Sequence, residues 1–138
     1  EVSERDPAAA RKWMREAAFS GIVDAQFRIG VANWSGIGGK VDQREAVRWL
    51  CRAAEGGSAK AAAMLAGFLM TGNGLAYSPA RAWALFMRAA KMGNENAAAT
   101  AKILERQLPL QEKRVQRSLL RIKDSKTFLE KLIPRSER

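Results

Sequence analysis

The chain has 138 residues, 47% of them hydrophobic and 28% charged, with 24 Lys or Arg against 14 Asp or Glu, no His and one Cys. That balance fits a single globular domain rather than a disordered chain, and no apolar run reaches the roughly 18 residues that a membrane-spanning helix needs. Without His the commonest general base, the Ser-His-Asp triad and most metal sites are lost, and a lone Cys51 allows neither an internal disulfide nor a Cys-x-x-Cys pair.

In chain order, the sequence predicts helices at residues 7–19, 23–35, 43–55, 59–70, 79–91 and 95–107. Each is a stretch rich in Ala, Leu, Met and Arg, with apolar residues three and four apart. Asp6-Pro7 and Ser78-Pro79 place a capping side chain before Pro at the first helical position, and Asp42 with Glu45 reads as a capping box. Gly21, Gly57 and Gly93 stop helices, and Gly36, Gly38, Gly72 and Gly74 mark turns. These Gly-x-Gly turns lack the strand and lysine of a phosphate-binding loop. After Pro109 one basic amphipathic helix is predicted to run to Pro134. Its stripe is Val115, Leu119, Ile122, Leu129 and Ile133, interrupted by Lys126, with Arg114, Arg117, Arg121 and Lys123 on other faces.

The first six helices repeat with a period of 36 residues. Ala10, Trp13, Ala17, Ala18, Gly21, Ala25 and Ile29 recur without gaps as Ala46, Trp49, Ala53, Ala54, Gly57, Ala61 and Leu65. They recur again as Ala82, Leu85, Ala89, Ala90, Gly93, Ala97 and Ala101. Gly36 and Gly38 align with Gly72 and Gly74, and Asp6 and Asp42 align with Ser78, so core and punctuation keep one register. The expected organisation is a half repeat at 6–21, full repeats at 22–57 and 58–93, and the first helix of a last repeat at 94–108, within a repeat domain at 1–108. A capping helix and tail follow at 109–138.

The run AQFRIG…SGIGGKVDQREAVRWLCRAAEGGSAKA resembles the Sel1-like repeat family in Ala25, Ile29, Gly30, Gly36, Gly38, Asp42, Ala46, Trp49, Ala53, Ala54 and Gly57. It departs from the family pattern at Asn33, Gly39, Ala66 and Ala101-Lys102. The resemblance implies an all-α, right-handed α/α solenoid, akin to tetratricopeptide repeats, that serves as a non-enzymatic scaffold for protein binding. It also implies that the first helix of each pair lines the groove.

Equivalent positions on those helices put Gln26, Asn33, Trp34, Met70 and Arg106 on the groove, with Ala62, Leu69, Ala98 and Glu105 between them. Trp34 and Met70 are candidate apolar anchors and Arg28 and Lys102 candidate contacts for acidic groups, although both anchors also suit partly buried contacts between repeats. No acid pair, metal cluster or cofactor motif stands out, and Cys51, equivalent to Arg15 and Met87, is expected to be partly exposed and unreactive.

Residues 1–104 carry 14 basic and 9 acidic side chains, and residues 105–138 carry 10 and 5, so basic charge is densest at the C-terminus. The second functional reading is therefore an electrostatic adaptor whose basic helix, through Arg114, Arg117, Arg121 and Lys123, binds an acidic protein, an anionic membrane or nucleic acid. A protein or peptide partner ranks above membrane and nucleic acid, because no nucleic-acid-binding signature is present. The chain opens with the second helix of a pair, which leaves Trp13, Met14 and Phe19 to be covered by upstream repeats or by self-association. Because it starts at Glu1 rather than Met, a processed or excised product is expected, with a periplasmic location favoured over a cytoplasmic one.

Overall fold

Helix starts in this chain are set by short polar side chains that recur at the repeat period. Asp6 Oδ1 accepts from the Ala9 amide at 3.1 Å, Asp42 Oδ1 from Glu45 at 3.0 Å and Ser78 Oγ from Arg81 at 3.3 Å, each satisfying an otherwise orphaned N–H. Ser58 and Asn94 do the same for Ala61 and Ala97. The computed structural model describes residues 6–138, and its first six helices are α1 (Pro7–Phe19), α2 (Val23–Ser35), α3 (Gln43–Glu55), α4 (Ala59–Thr71), α5 (Pro79–Lys91) and α6 (Glu95–Gln107), of which α2, entered through Ile22, starts without a side-chain cap. They agree with the sequence expectation to within one residue at every end. Residues 1–5 of the expected repeat domain lie outside the described residues.

The capping box is only half formed. The Asp42 amide donates to the Asn33 carbonyl at 2.8 Å, as Ser78 does to Leu69 at 2.8 Å one period later, so no free N–H is left for Glu45, whose carboxylate lies 4.0 Å from Arg48. These bonds tie each long loop back to the helix before it, so they set the angle at which α3 and α5 leave.

Two layers result, α1, α3 and α5 in one and α2, α4 and α6 in the other, an α/α solenoid with repeats of about 36 residues. Alanine carries the close contacts: Ala46, Ala53, Ala61, Ala82 and Ala89 are fully buried, which lets neighbouring helices approach closely while Trp49, Leu50, Leu65, Leu69, Trp83 and Leu85 fill the space between them. Each such large side chain contributes about 1.5–3 kcal/mol of burial.

The expected single helix from Pro109 to Pro134 is two helices, α7 (Leu110–Leu120) and α8 (Ser125–Leu132), followed by a short 3-10 turn at Arg135–Glu137. The break has a local cause. Asp124 caps a new helix by accepting from the Thr127 amide at 2.8 Å and the Thr127 hydroxyl at 2.6 Å, and these bonds hold its carboxyl below the usual carboxylate range. The apolar stripe is mostly the expected one: Leu129 and Ile133 are buried and Leu119 and Ile122 are half-buried against the core, whereas Val115 is exposed and Phe128 and Leu132 are further buried anchors. Rather than capping only the last pair, α7 packs on α5 and α8 reaches back to α3. We call this C-terminal segment the strap.

Two arginines, Arg88 buried and Arg81 half-buried, hold the strap down. Arg88 donates to the carbonyls of Ile122 and Lys123 and lies 4.0 Å over the Phe128 ring, while Arg81 donates to the Leu132 carbonyl at 2.9 Å and to Glu137 at 2.8 Å. Burial pushes the Arg88 guanidinium below its ordinary value, with the charge of Asp124 opposing the shift. The strap also explains why Cys51 is fully buried, against the expectation of partial exposure. Its equivalents Arg15 and Met87 are exposed, but Cys51 sits on the helix that α8 crosses and shares a core cluster with Phe128.

Candidate functional site

The candidate groove residues do not form one surface. Asn33 is buried and closes a polar network: Arg11 donates to its side-chain oxygen, to the Ile37 carbonyl and, at 2.8 Å, to the Lys40 carbonyl, while Asn33 Nδ2 donates to Ile29 at 2.9 Å. Asn33 therefore fixes the loop before α3 and offers nothing to a ligand. Leu69 and Ala62 are likewise buried. Gln26 is half-buried and donates to the Ala18 carbonyl at 3.2 Å.

Trp34 is half-buried and stacks on Phe68, with centroids 3.9 Å and planes 17° apart, so it is chiefly a contact between successive first helices. Met70, its equivalent, is half-buried against the core. Arg28 is exposed and paired with Asp24 at 2.9 Å, and Lys102 and Arg106 are exposed on α6.

An open strip between these residues was missed by choosing positions one step around the helix. Phe27 and Val31 of α2, Ala63 and Gly67 of α4, and Ala99 and Ile103 of α6 stand 36 residues apart in two rows, all half-buried or exposed, with Ile103 57% exposed. A Cβ added at Gly67 would meet nothing within 4 Å, so α4 is bare along the middle of this face. Small residues at the centre with larger apolar ones on either side make a shallow furrow suited to a helix or extended peptide. Period arithmetic would have found it, because the three members of each row are equivalent.

The basic residues fall on different parts of the strap. Arg114 and Arg117 are exposed on α7, Arg121 caps its C-terminus and Lys123 lies in the linker. Arg117 is paired with Glu105 at 3.3 Å and lies 5.8 Å from the Trp83 ring. The expected single basic helix is therefore broken by the turn at residues 121–124, which leaves Arg114 and Arg117 on α7 and Arg121 and Lys123 beyond its end.

At the other end, Trp13 is 61% and Phe19 67% exposed, whereas Trp49, the equivalent of Trp13, is 2% exposed. The difference is the socket: Trp49 meets Phe19 edge-on at 4.8 Å and packs with Ala18, Ala25 and Ile29 of the two helices before it. Trp13 has no two such helices against it among the described residues, and Met14 is half-buried.

Among the described residues no helix is long and apolar enough to cross a membrane, and no three His, Cys, Asp or Glu side chains group as metal ligands. Burial pushes the Cys51 thiol up to about 12, so it is a poor nucleophile at neutral pH.

Comparison with known proteins agrees with this architecture. The chain matches the Sel1 repeat at residues 3–19, 23–58 and 59–94. It is similar, at 32% identity and TM-score 0.79 over 96% of its length, to a protective antigen of uropathogenic Escherichia coli strains that displays an SLR fold. The match spans 27% of that chain. It is also similar to a Sel1 repeat protein from Oxalobacter formigenes, at 31% identity and TM-score 0.68, over 72% of this chain and 41% of that one. The chain thus spans less than half the length of either. A search of curated proteins gave no match. With three Sel1 repeats over more than half of its residues and an all-helical solenoid to carry them, the chain belongs to the Sel1 repeat family.

Proposed function

We propose that the chain is a non-enzymatic scaffold, a bacterial regulatory or assembly adaptor, that binds a protein or peptide on the open face of α2, α4 and α6. Sel1 repeats generally mediate protein–protein binding, and both similar structures come from bacteria. The observation that carries the reading is the furrow over Ala63 and Gly67, an apolar strip that the fold does not cover although it covers the opposite layer with its own strap. Helices α2, α4 and α6 supply this face, and residues 109–138 brace the layer behind it. Trp34 and Met70 border the furrow, and Arg28, Lys102 and Arg106 supply cations at its margins. The half-open socket at Trp13 and Phe19 accommodates a further helix pair of the same kind, whether from a longer chain or from a second copy.

Affinity capture from an extract of the source organism tests the proposal. Gly67→Arg fills the furrow without touching the core, because the position is open. Loss of the captured protein in Gly67→Arg, with retention in a variant lacking the charges of Arg114, Arg117, Arg121 and Lys123, supports the scaffold reading. The reverse pattern, with capture abolished by moderate salt, supports the electrostatic adaptor instead.

A further inference from the structure

A second site lies on the other layer, where the strap ends against α3. A cleft of about 280 Å³ there is lined by five side chains, Arg48, Arg52 and Glu55 of α3 with Arg135 and Arg138 of the C-terminal turn. Four arginines from two distant stretches of chain thus line one cleft with a single carboxylate. That carboxylate is already engaged: Glu55 accepts from Arg138 Nη1 at 3.0 Å, and the two side chains are 12% and 8% exposed. The same guanidinium donates from Nε to the Ile133 carbonyl at 2.9 Å, yet its Nη2 is buried with no acceptor. A buried charged donor left unpaired among the described residues is costly, and it belongs to a guanidinium that lines the cleft.

The other three arginines have donors to spare. Arg52 lies over the Trp49 ring at 4.8 Å and pairs with no carboxylate among the described residues. Arg48, four residues earlier on the same face of α3, donates from Nε to the Arg138 carbonyl at 3.4 Å and approaches Glu45 at 4.0 Å, which leaves its Nη2 without a partner among the described residues. Arg135 keeps one 3.1 Å contact to Glu130 and is otherwise exposed. Convergence of like charges is unfavourable unless an anion bridges them, and planar N–H forks match oxyanions. A carboxylate offers two oxygens, whereas a phosphate group offers at least three, enough to engage several guanidinium groups together. The repeat does not create this arrangement, since the equivalents of Arg52 are Glu16 and Arg88 and those of Glu55 are Phe19 and Lys91.

We propose that the cleft between α3 and the C-terminal turn is an oxyanion site that binds a phosphate group through Arg48, Arg52, Arg135 and Arg138. Free phosphate and a small phosphate monoester share this chemistry. The test is the thermal midpoint of the intact chain titrated with inorganic phosphate and, separately, with glycerol phosphate, each against sodium chloride at matched ionic strength. A saturable rise with either phosphate species beyond the chloride control supports the site, and the species that binds more tightly identifies the source. The double variant Arg52→Gln, Arg135→Gln removes two exposed side chains and is expected to fold, which circular dichroism checks. It should weaken phosphate binding by about tenfold or more, the loss expected of charge-assisted hydrogen bonds. A control variant, Arg114→Gln with Arg117→Gln on α7, should bind as the unmodified chain does. A rise no larger than chloride produces, or equal binding by the Arg52, Arg135 variant, overturns the proposal.

Discussion

Gly30 of α2 lies directly beneath Leu50 of α3: a Cβ on Gly30 would stand 2.8 Å from Leu50 Cγ and 2.9 Å from Cδ2. Leu50 is fully buried and cannot retreat, so the glycine sets the distance between the two helices. Gly67, the other glycine inside a first helix, has no neighbour within 4 Å of an added Cβ. The same substitution should therefore change sign. Gly30→Ala is expected to destabilise by about 1–3 kcal/mol through overpacking, and Gly67→Ala to stabilise by about 0.5–1 kcal/mol through helix propensity. Urea denaturation of the two variants measures both, and equal shifts would contradict the packing described for α2 and α3.

The stack of Trp34 on Phe68 should dominate the coupling between the first helices. Phe68 is 7% exposed, so Phe68→Ala is expected to cost about 3 kcal/mol or more. Trp34→Ala should cost less, because that ring is only half-buried. A double-mutant cycle should return a coupling of about 0.5–1.5 kcal/mol, and a value near zero would mean that the rings contribute burial alone.

Cys51 should resist thiol reagents in the native state at pH 7–8 and react on unfolding. Desolvation raises its pKa to about 12, with the positive charge of Arg138 a smaller opposing influence. A group whose folded pKa is raised contributes its stability in full below the unfolded pKa, near 9, and loses it as pH climbs from there toward 12. Stability should thus fall on the alkaline side, and Cys51→Ala should fall less steeply over the same range. Identical slopes in the two proteins would show that the thiol takes no part.

Arg88 is the principal clamp on the strap. Its removal leaves the Ile122 and Lys123 carbonyls without a donor and the Phe128 ring without its cation, so Arg88→Ala should cost about 2–3 kcal/mol. Lysine should restore little, since an ammonium cannot reach two carbonyls as a planar fork and stack at once. Hydrogen exchange gives a local readout: amides of α8 should lose protection in Arg88→Ala while those of α4 keep theirs. Uniform loss across both would mean that the strap and the repeats unfold as one unit.

The repeated part of the fold was legible because the period supplied three readings of each position. Asp6, Asp42 and Ser78 marked the same start, and Gly21, Gly57 and Gly93, all at positive φ, marked the same stop. The strap has no second copy to average over. Its helical stripe skipped the six residues between Ile122 and Leu129, and the polar run Lys123-Asp124-Ser125 within that gap was the available sign of a break. Averaging also misled at Cys51, whose equivalents are exposed while it lies under α8. Asn33 and Arg11 replace the Leu69 and Val47 of the next repeat, and a single sequence does not reveal that two polar residues 22 apart satisfy each other. The open face was half legible. Equivalent positions were compared, but the rows through Phe27 and Val31 lay one step from those chosen.

Oxidative footprinting of methionines in the captured complex tests the binding face most directly. Met64 and Met70 lie on α4 beside the furrow, whereas Met87 is 38% exposed on α5 in the opposite layer. The scaffold account predicts that the partner protects Met64 and Met70 from oxidation and leaves Met87 unchanged. Protection of Met87 with Met64 and Met70 still oxidised at the free rate would contradict it and move the binding surface to the other layer.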